Sequence, residues 1–320
     1  MLFGPNEMFR GTIIEKIHWF ITEGALEYIL KLYRIIFRKD FSVNDNIIFK
    51  ILYKFRHRYV QTFYLSISTG GIILFFYTAL DRLPNQYLGP IHFLIMPVVI
   101  AFIYVSFYVA CVSDPGIITK ENVDALCEHF KYDHILYSER TCETCKFKKP
   151  ARSKHCSTCG HCIAKSDHHC VWINNCVGYL NFRYFLLFLI SNIVISLYGC
   201  YLSIYLMRAK GDSIGLNSGY AFNRYTRRYE KIGFKEYILI MFSEDPILCA
   251  LVLFLGASIL VVLGFIGYQS YLTIISGMTT NELAKWGRLE DRLNKGETFV
   301  TKTYVGDQET EENKENEKNQ

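Results

Sequence analysis

The chain has little excess of charge of either sign, since 35 Lys and Arg against 30 Asp and Glu leave a net +5 over 320 residues. So weak and scattered an excess gives no case for a nucleic-acid partner, although it suits contact with anionic lipid headgroups. No solenoid repeat is visible, and no secretory signal peptide is read in the opening residues. Uncharged runs cover Val60–Leu80, Leu83–Ser113, Tyr184–Met207 and Pro246–Asn281. Each reaches or exceeds the roughly 20 residues that a helix needs to cross a bilayer. Four transmembrane helices are therefore expected, with the last third of the fourth run emerging into water.

What the chain does have is sulfur in one place. Seven of its 11 cysteines lie between Cys142 and Cys176, with four histidines, His155, His161, His168 and His169. Large aliphatics are few there, so metal rather than an apolar core is expected to fold the segment. C-x2-C pairs supply two thiolates from one turn, and zinc takes thiolates and neutral imidazoles in fours. Spacing alone allows several partitions. A surplus thiol would be either a spare ligand or a nucleophile.

Orientation follows from charge and redox chemistry. Lys50, Lys54, Arg56 and Arg58 precede the first span and place the N-terminus in the cytosol. Against this, the loop 208–245, then lumenal, carries Arg224, Arg227, Arg228, Lys231 and Lys235. Clustered zinc thiolates persist in a reducing cytosol, so the insert is expected there. The domains read as an N-terminal cytosolic arm (1–58) and spans 1 and 2 (59–113). A cytosolic cysteine-rich zinc domain (114–183) and span 3 (184–207) follow. The lumenal loop (208–245), span 4 (246–278) and a cytosolic tail (279–320) with a disordered end complete the chain. In the arm, Trp19, Phe20, Ile29, Leu30 and Ile36 could line an interfacial amphipathic helix. The fold class is all-α and polytopic, with a two-zinc insert between spans 2 and 3.

The pattern C-x2-C-x9-H-C-x2-C-x2-C-x4-D-H-H-C-x5-C, then Asn181 and Phe185, resembles the DHHC family of protein S-acyltransferases. Asp114-Pro115-Gly116 after the second span and Thr279-Thr280-Asn281-Glu282 after the fourth are similar to two further motifs of that family. The wording KPARSKHC and GMTTNE resembles its fungal spore-wall-formation branch, which acts on SNAREs and other single-span proteins from the endoplasmic reticulum. By this resemblance, Cys142, Cys145, His155 and Cys162 would hold one structural Zn2+. Cys156, Cys159, His169 and Cys176 would hold the second. Asp167, His168 and Cys170 match the catalytic group, and His161 falls at a position the family does not fix, so it reads as a surface residue. Asn181 would tie the insert to the third span, and Thr279-Thr280 would help to hold Asp167. Two departures stand out: Val171 replaces the usual proline, and no aromatic C-terminal motif follows Glu282.

The chemistry these residues permit is nucleophilic. A free thiol has a pKa near 8.5, so it needs a proton acceptor, and a carboxylate can orient that acceptor. The expectation is attack of Cys170 on a long-chain acyl-CoA such as palmitoyl-CoA, then transfer to juxtamembrane cysteines of membrane-associated substrates, SNAREs among those implied. Trp172 is expected to wall the acyl chain. The compartment implied is the endoplasmic reticulum membrane, with the Golgi as alternative. A catalytically silent, membrane-anchored zinc adaptor is the competing reading. A cross-braced ubiquitin ligase lacks support, because Cys170-x5-Cys176 stands where a closing C-x2-C pair is required.

Overall fold

The computed structural model describes residues 47–216, 218–223 and 227–296. The proposed interfacial helix of the arm and the acidic end of the tail lie outside them. Among the described residues, four helices are long and apolar enough to cross a membrane, over Arg58–Arg82, His92–Val112, Phe182–Ser213 and Pro246–Ile275. They belong to α1 (Ile47–Ala79), α2 (His92–Val112), α4 (Phe182–Ser213) and α6 (Pro246–Ser270), the last prolonged by a π-helical turn at Tyr271–Ile275. Short α3 (Val123–His129) and amphipathic α7 (Thr280–Asn294) belong to the insert side. The architecture is the expected polytopic helical bundle with the cysteine-rich region between spans 2 and 3, and strands are minor.

Spans pack through α4, which lies against both α2 and α6. Lipid supplies no hydrophobic drive between helices, so close small-residue contacts and interhelical hydrogen bonds matter. Ser106 and Ser191, both fully buried, share a 2.6 Å hydrogen bond between α2 and α4. Tyr64 donates to Asn192 at 3.1 Å, joining α1 to α4.

The third helix runs beyond the run Tyr184–Met207. Residues 208–213 stay helical because Gln86 and Tyr87, from the turn between spans 1 and 2, donate to Asp212, and the Arg208 guanidinium sits 4.6 Å over the Tyr87 ring. The same turn is latched to the entry of α6 by an Arg82–Asp245 ion pair. The loop that follows α4 also has structure that its sequence did not announce: a hairpin, β5 (Tyr220–Asn223) with β6 (Arg228–Lys231), and α5 (Phe234–Glu244).

The insert holds two further hairpins, β1 (Lys154–Cys156) with β2 (His161–Ile163), and β3 (His168–Cys170) with β4 (Asn175–Val177). One expectation is corrected here. The insert does have a small apolar core, in which Ile118, Val123, Phe130, Tyr137 and Ala151 pack around Cys142 and Cys162. Four of these come from the linker before Cys142, which is why the composition of 142–176 concealed it.

Candidate active site and metal centres

Strand pleating sorts the motif. Alternate side chains of a strand point to opposite faces, so His168 and Cys170 share one face of β3 and His169 takes the other. Across the hairpin His169 pairs directly with Cys176, and in the first hairpin His155 pairs with Cys162. Facing residues of an antiparallel pair lie close enough to share one ion. Each C-x2-C turn is closed by an N–H···S contact, Cys145 to Cys142 at 3.4 Å and Cys159 to Cys156 at 3.5 Å. Both turns then need a left-handed residue, supplied by Lys146 (φ 61°) and Gly160 (φ 76°).

Two groups of four result, Cys142, Cys145, His155, Cys162 and Cys156, Cys159, His169, Cys176, with all ligand atoms of each group within 4.8 Å of one another. His155 Nδ1 lies 3.7, 3.4 and 3.7 Å from the sulfurs of Cys142, Cys145 and Cys162. His169 Nδ1 lies 3.7, 3.4 and 3.6 Å from those of Cys156, Cys159 and Cys176. A tetrahedral ion with Zn–S of about 2.3 Å and Zn–N of about 2.0–2.1 Å sets its S···N edges at about 3.6 Å. The donor sets fit zinc in type, number and spacing. Cys170 belongs to neither group, and His161 is exposed on β2.

On the other face of β3, His168 Nδ1 is 2.6 Å from Asp167 Oδ2. Asp167 is buried, and its carboxylate has three further partners. The Thr280 backbone N–H donates to Oδ1 at 2.6 Å, and its hydroxyl donates to Oδ2 at 3.2 Å. Gln269 Nε2 donates to Oδ2 at 3.0 Å. Burial alone would raise the Asp167 pKa, but the hydrogen bond and charge of His168, with the bonds from Thr280 and Gln269, hold it below its ordinary value. Burial likewise opposes the imidazolium of His168, yet the hydrogen bonds and charges of Asp167 and Cys170 raise its pKa to about 10. The arrangement is one that fixes an imidazole by one nitrogen and stabilises its charged form beside a thiol.

Cys170, 6% exposed, faces the bilayer spans. It packs in a cluster with Phe107, Ile173, Phe185, Phe188 and Phe265, drawn from α2, α4, α6 and the insert. Trp172 adjoins this cluster and also lines a cavity of about 470 Å³ between the spans, walled by Tyr64, Ile103, Phe188, Leu202 and Val262 among others. Trp172 and Phe188, which pack in the cluster around Cys170, thus also form part of the wall of this apolar space.

Three sets of contacts hold the insert on the span ends. Asn181, fully buried, donates to the Cys176 carbonyl at 2.8 Å and accepts from the Gly178 N–H at 2.9 Å, closing the end of β4 onto α4. Asn175 donates to the Ala110 and Ser113 carbonyls at 3.2 and 2.8 Å, at the end of α2. The Asp114 carboxylate accepts from the backbone of Gly116 and Ile117, and the segment then pairs with β2 through Ile118 N–H to Cys162 O at 2.8 Å.

Thr279 and Glu282 form a capping box that starts α7 rather than ending the fourth helix. The Thr279 hydroxyl also reaches the Ser166 carbonyl at 3.2 Å, and Glu282 pairs with Arg152 through two guanidinium nitrogens. That charge pair raises the Arg152 pKa.

Sequence reasoning singled out neither Gln269 nor Asn175. A signal existed for Gln269: it is the one amide side chain within the span Pro246–Ile275, and a buried polar side chain in a span must find a partner. For Asn175 there was none, because an asparagine in a turn-rich segment has many local explanations.

Residues 135–287 match the family model described as DHHC palmitoyltransferase. Palmitoyltransferase swf1 of Schizosaccharomyces pombe is 36% identical over 252 residues, covering 78% of this chain and 65% of that protein. Palmitoyltransferase SWF1 of Yarrowia lipolytica is 33% identical over 205 residues, covering 64% and 52%. The chain therefore spans between half and two thirds of the length of these two relatives. Palmitoyltransferase swf1 of Emericella nidulans is 31% identical over 328 residues, covering 96% of this chain and 72% of that protein. On this likeness, and on the site just described, the chain belongs to the DHHC palmitoyltransferase family and to the branch of its fungal Swf1 members.

Proposed function

We propose that this protein is a protein-cysteine S-palmitoyltransferase that carries a long-chain acyl group from acyl-CoA to protein thiols through an acyl-enzyme at Cys170. The observation that carries the reading is the pairing of a buried, unligated thiol with His168–Asp167 on one side and an apolar cavity between the spans on the other. The Cys170 sulfur, its proton already passed to His168, attacks the thioester carbonyl of acyl-CoA. The carbon–sulfur bond to CoA breaks, and CoA leaves with a proton. A substrate cysteine then attacks the acyl-enzyme and frees Cys170, His168 moving the second proton in turn. Asp167 orients the imidazole, and Trp172 borders the acyl chain. One thioester replaces another, so no energy cofactor is needed.

Cys142, Cys145, His155, Cys162 and Cys156, Cys159, His169, Cys176 are inferred to hold two Zn2+. Each set is closed with four protein ligands, which makes the role structural: it aims the two faces of β3. Membrane-associated proteins with juxtamembrane cysteines, SNAREs among them, are the proposed substrates. The endoplasmic reticulum membrane is the proposed site of action, with the Golgi as alternative, and the insert in the cytosol. These finer proposals rest on likeness to the fungal branch.

The decisive test incubates purified protein with labelled palmitoyl-CoA. Wild type is expected to acquire a hydroxylamine-sensitive label, and Cys170→Ser none. A labelled Cys170→Ser protein would move the nucleophile elsewhere. Two zinc per chain and no label on either protein would favour the adaptor.

A further inference from the structure

Opposite the insert, the loop between spans 3 and 4 carries a surface that acyl transfer does not use. The helix α5 has three faces. Its buried face, Met241 with Tyr237 and Ile240, enters a cluster that includes Ala79, Met96, Leu202 and Leu248, one from each span. The Tyr237 hydroxyl donates to the Met207 carbonyl at 3.1 Å. Its ring covers Gly211, where a Cβ would come within 2.5 Å of the hydroxyl oxygen. Glycine at that position thus lets α5 lie flat on the last turns of α4. Since α6 begins at Pro246, two residues past the end of α5, the helix is held at the level of the span ends.

A second face shows exposed Glu236 and Ser243, while Glu244, on the α4 side, lies 4.0 Å from Lys210. The third is apolar and open: Phe234 is 82% exposed, Leu239 61% and Phe242 41%. Lys235 sits among them. Next to α5, strand β6 is exposed along its length and carries Arg228, Tyr229, Glu230 and Lys231, two cations to one acid, with Tyr229 73% exposed. Large apolar side chains alternating with cations, at the mouth of a set of spans, fit a phospholipid leaflet: rings and aliphatics at the acyl boundary, cations on lipid phosphates.

We propose that β5–β6 and α5 form an interfacial anchor, in which Phe234, Leu239 and Phe242 enter the leaflet opposite the zinc insert while Arg228, Lys231 and Lys235 contact lipid phosphates. This accounts for basic residues that oppose the charge rule for loop orientation: they serve as headgroup ligands. The proposal is independent of the acyl-transfer reading.

The test reconstitutes the full chain in phosphatidylcholine nanodiscs carrying lipids brominated near the headgroup or near the chain end. Leu239→Trp and Phe234→Trp report by difference from the parent, which has three tryptophans of its own. Phe234 is so exposed that its replacement leaves packing intact. Emission from both positions is expected to shift to the blue and to be quenched at least twofold more by the shallow bromines. Ser243→Trp, one turn past Leu239 toward the polar side, should be quenched less than either. Emission from Leu239→Trp and Phe234→Trp no more quenched than that of Ser243→Trp would overturn the anchor, whether water or another protein covers the face. Adding Arg228→Glu and Lys231→Glu to Leu239→Trp should cut its quenching by half or more. Unchanged quenching would remove the phosphate contact from the proposal.

Discussion

Asp167 is the residue on which three separate elements converge: β3 begins beside it, α6 sends Gln269 and α7 sends Thr280. Asp167→Asn keeps the volume but loses the charge that stabilises the imidazolium, so autoacylation should fall by about 10²–10⁴-fold. Gln269→Leu removes one bond to a charged group and should cost roughly tenfold in the same rate. Zinc content, measured alongside, should stay at two per chain in both variants, which separates orientation from unfolding. Reading the residues ahead of the structure went far for the cysteines, because metal ligation restricts residue type and spacing together. It went less far for Gln269, whose partner lies 102 positions away. Nothing in local spacing encodes such a contact.

The hairpins show what the order of ligands along an element implies. The register His169↔Cys176 puts one pair of ligands face to face and leaves His168 and Cys170 for the bilayer side, so a one-residue slip would exchange metal and reactive faces. Gly178, which follows β4, is where the segment after the second span meets the insert. A Cβ there would stand 2.4 Å from the Pro115 carbonyl and 2.6 Å from Ile163. Gly178→Ala should destabilise the insert by about 1–3 kcal/mol, since backbone cannot yield as a side-chain tip can. A lowered melting temperature in detergent checks it. The spans were legible as elements because uncharged runs of such length have few other uses. The hairpin β5–β6 and α5 were not: short mixed segments carry no period that outweighs their neighbours, and what holds α5 is Tyr237 on Gly211, a contact between distant positions.

For the molecule as a whole, the insert is fastened to the spans from both sides of the sequence, by Asn175 at the start of β4 and Asn181 after it, and by Thr279, Thr280 and Glu282 after span 4. The Arg152–Glu282 pair is the charged part of that fastening, with Glu282 only 5% exposed and Arg152 29%. Glu282→Gln keeps the shape while weakening charge-assisted bonds, worth about 1.5–3 kcal/mol. It should raise the rate of amide exchange in β3 and α7 together, and lower acyl transfer with zinc retained. Exchange that rises in α7 alone would show that α7 docks without supporting β3.

One detail of the first hairpin has a consequence for how the protein dies under oxidants or chelators. His155 and Cys156 are neighbours in sequence yet belong to different ligand sets. Stripping one ion frees a residue bonded directly to a ligand of the other, so the two metals should leave in a single concerted event. Chelator titrations would then show molecules with both ions or neither, and scarcely any half-loaded species. Such a protein would lose its catalytic competence as a switch is thrown, not as a dial is turned.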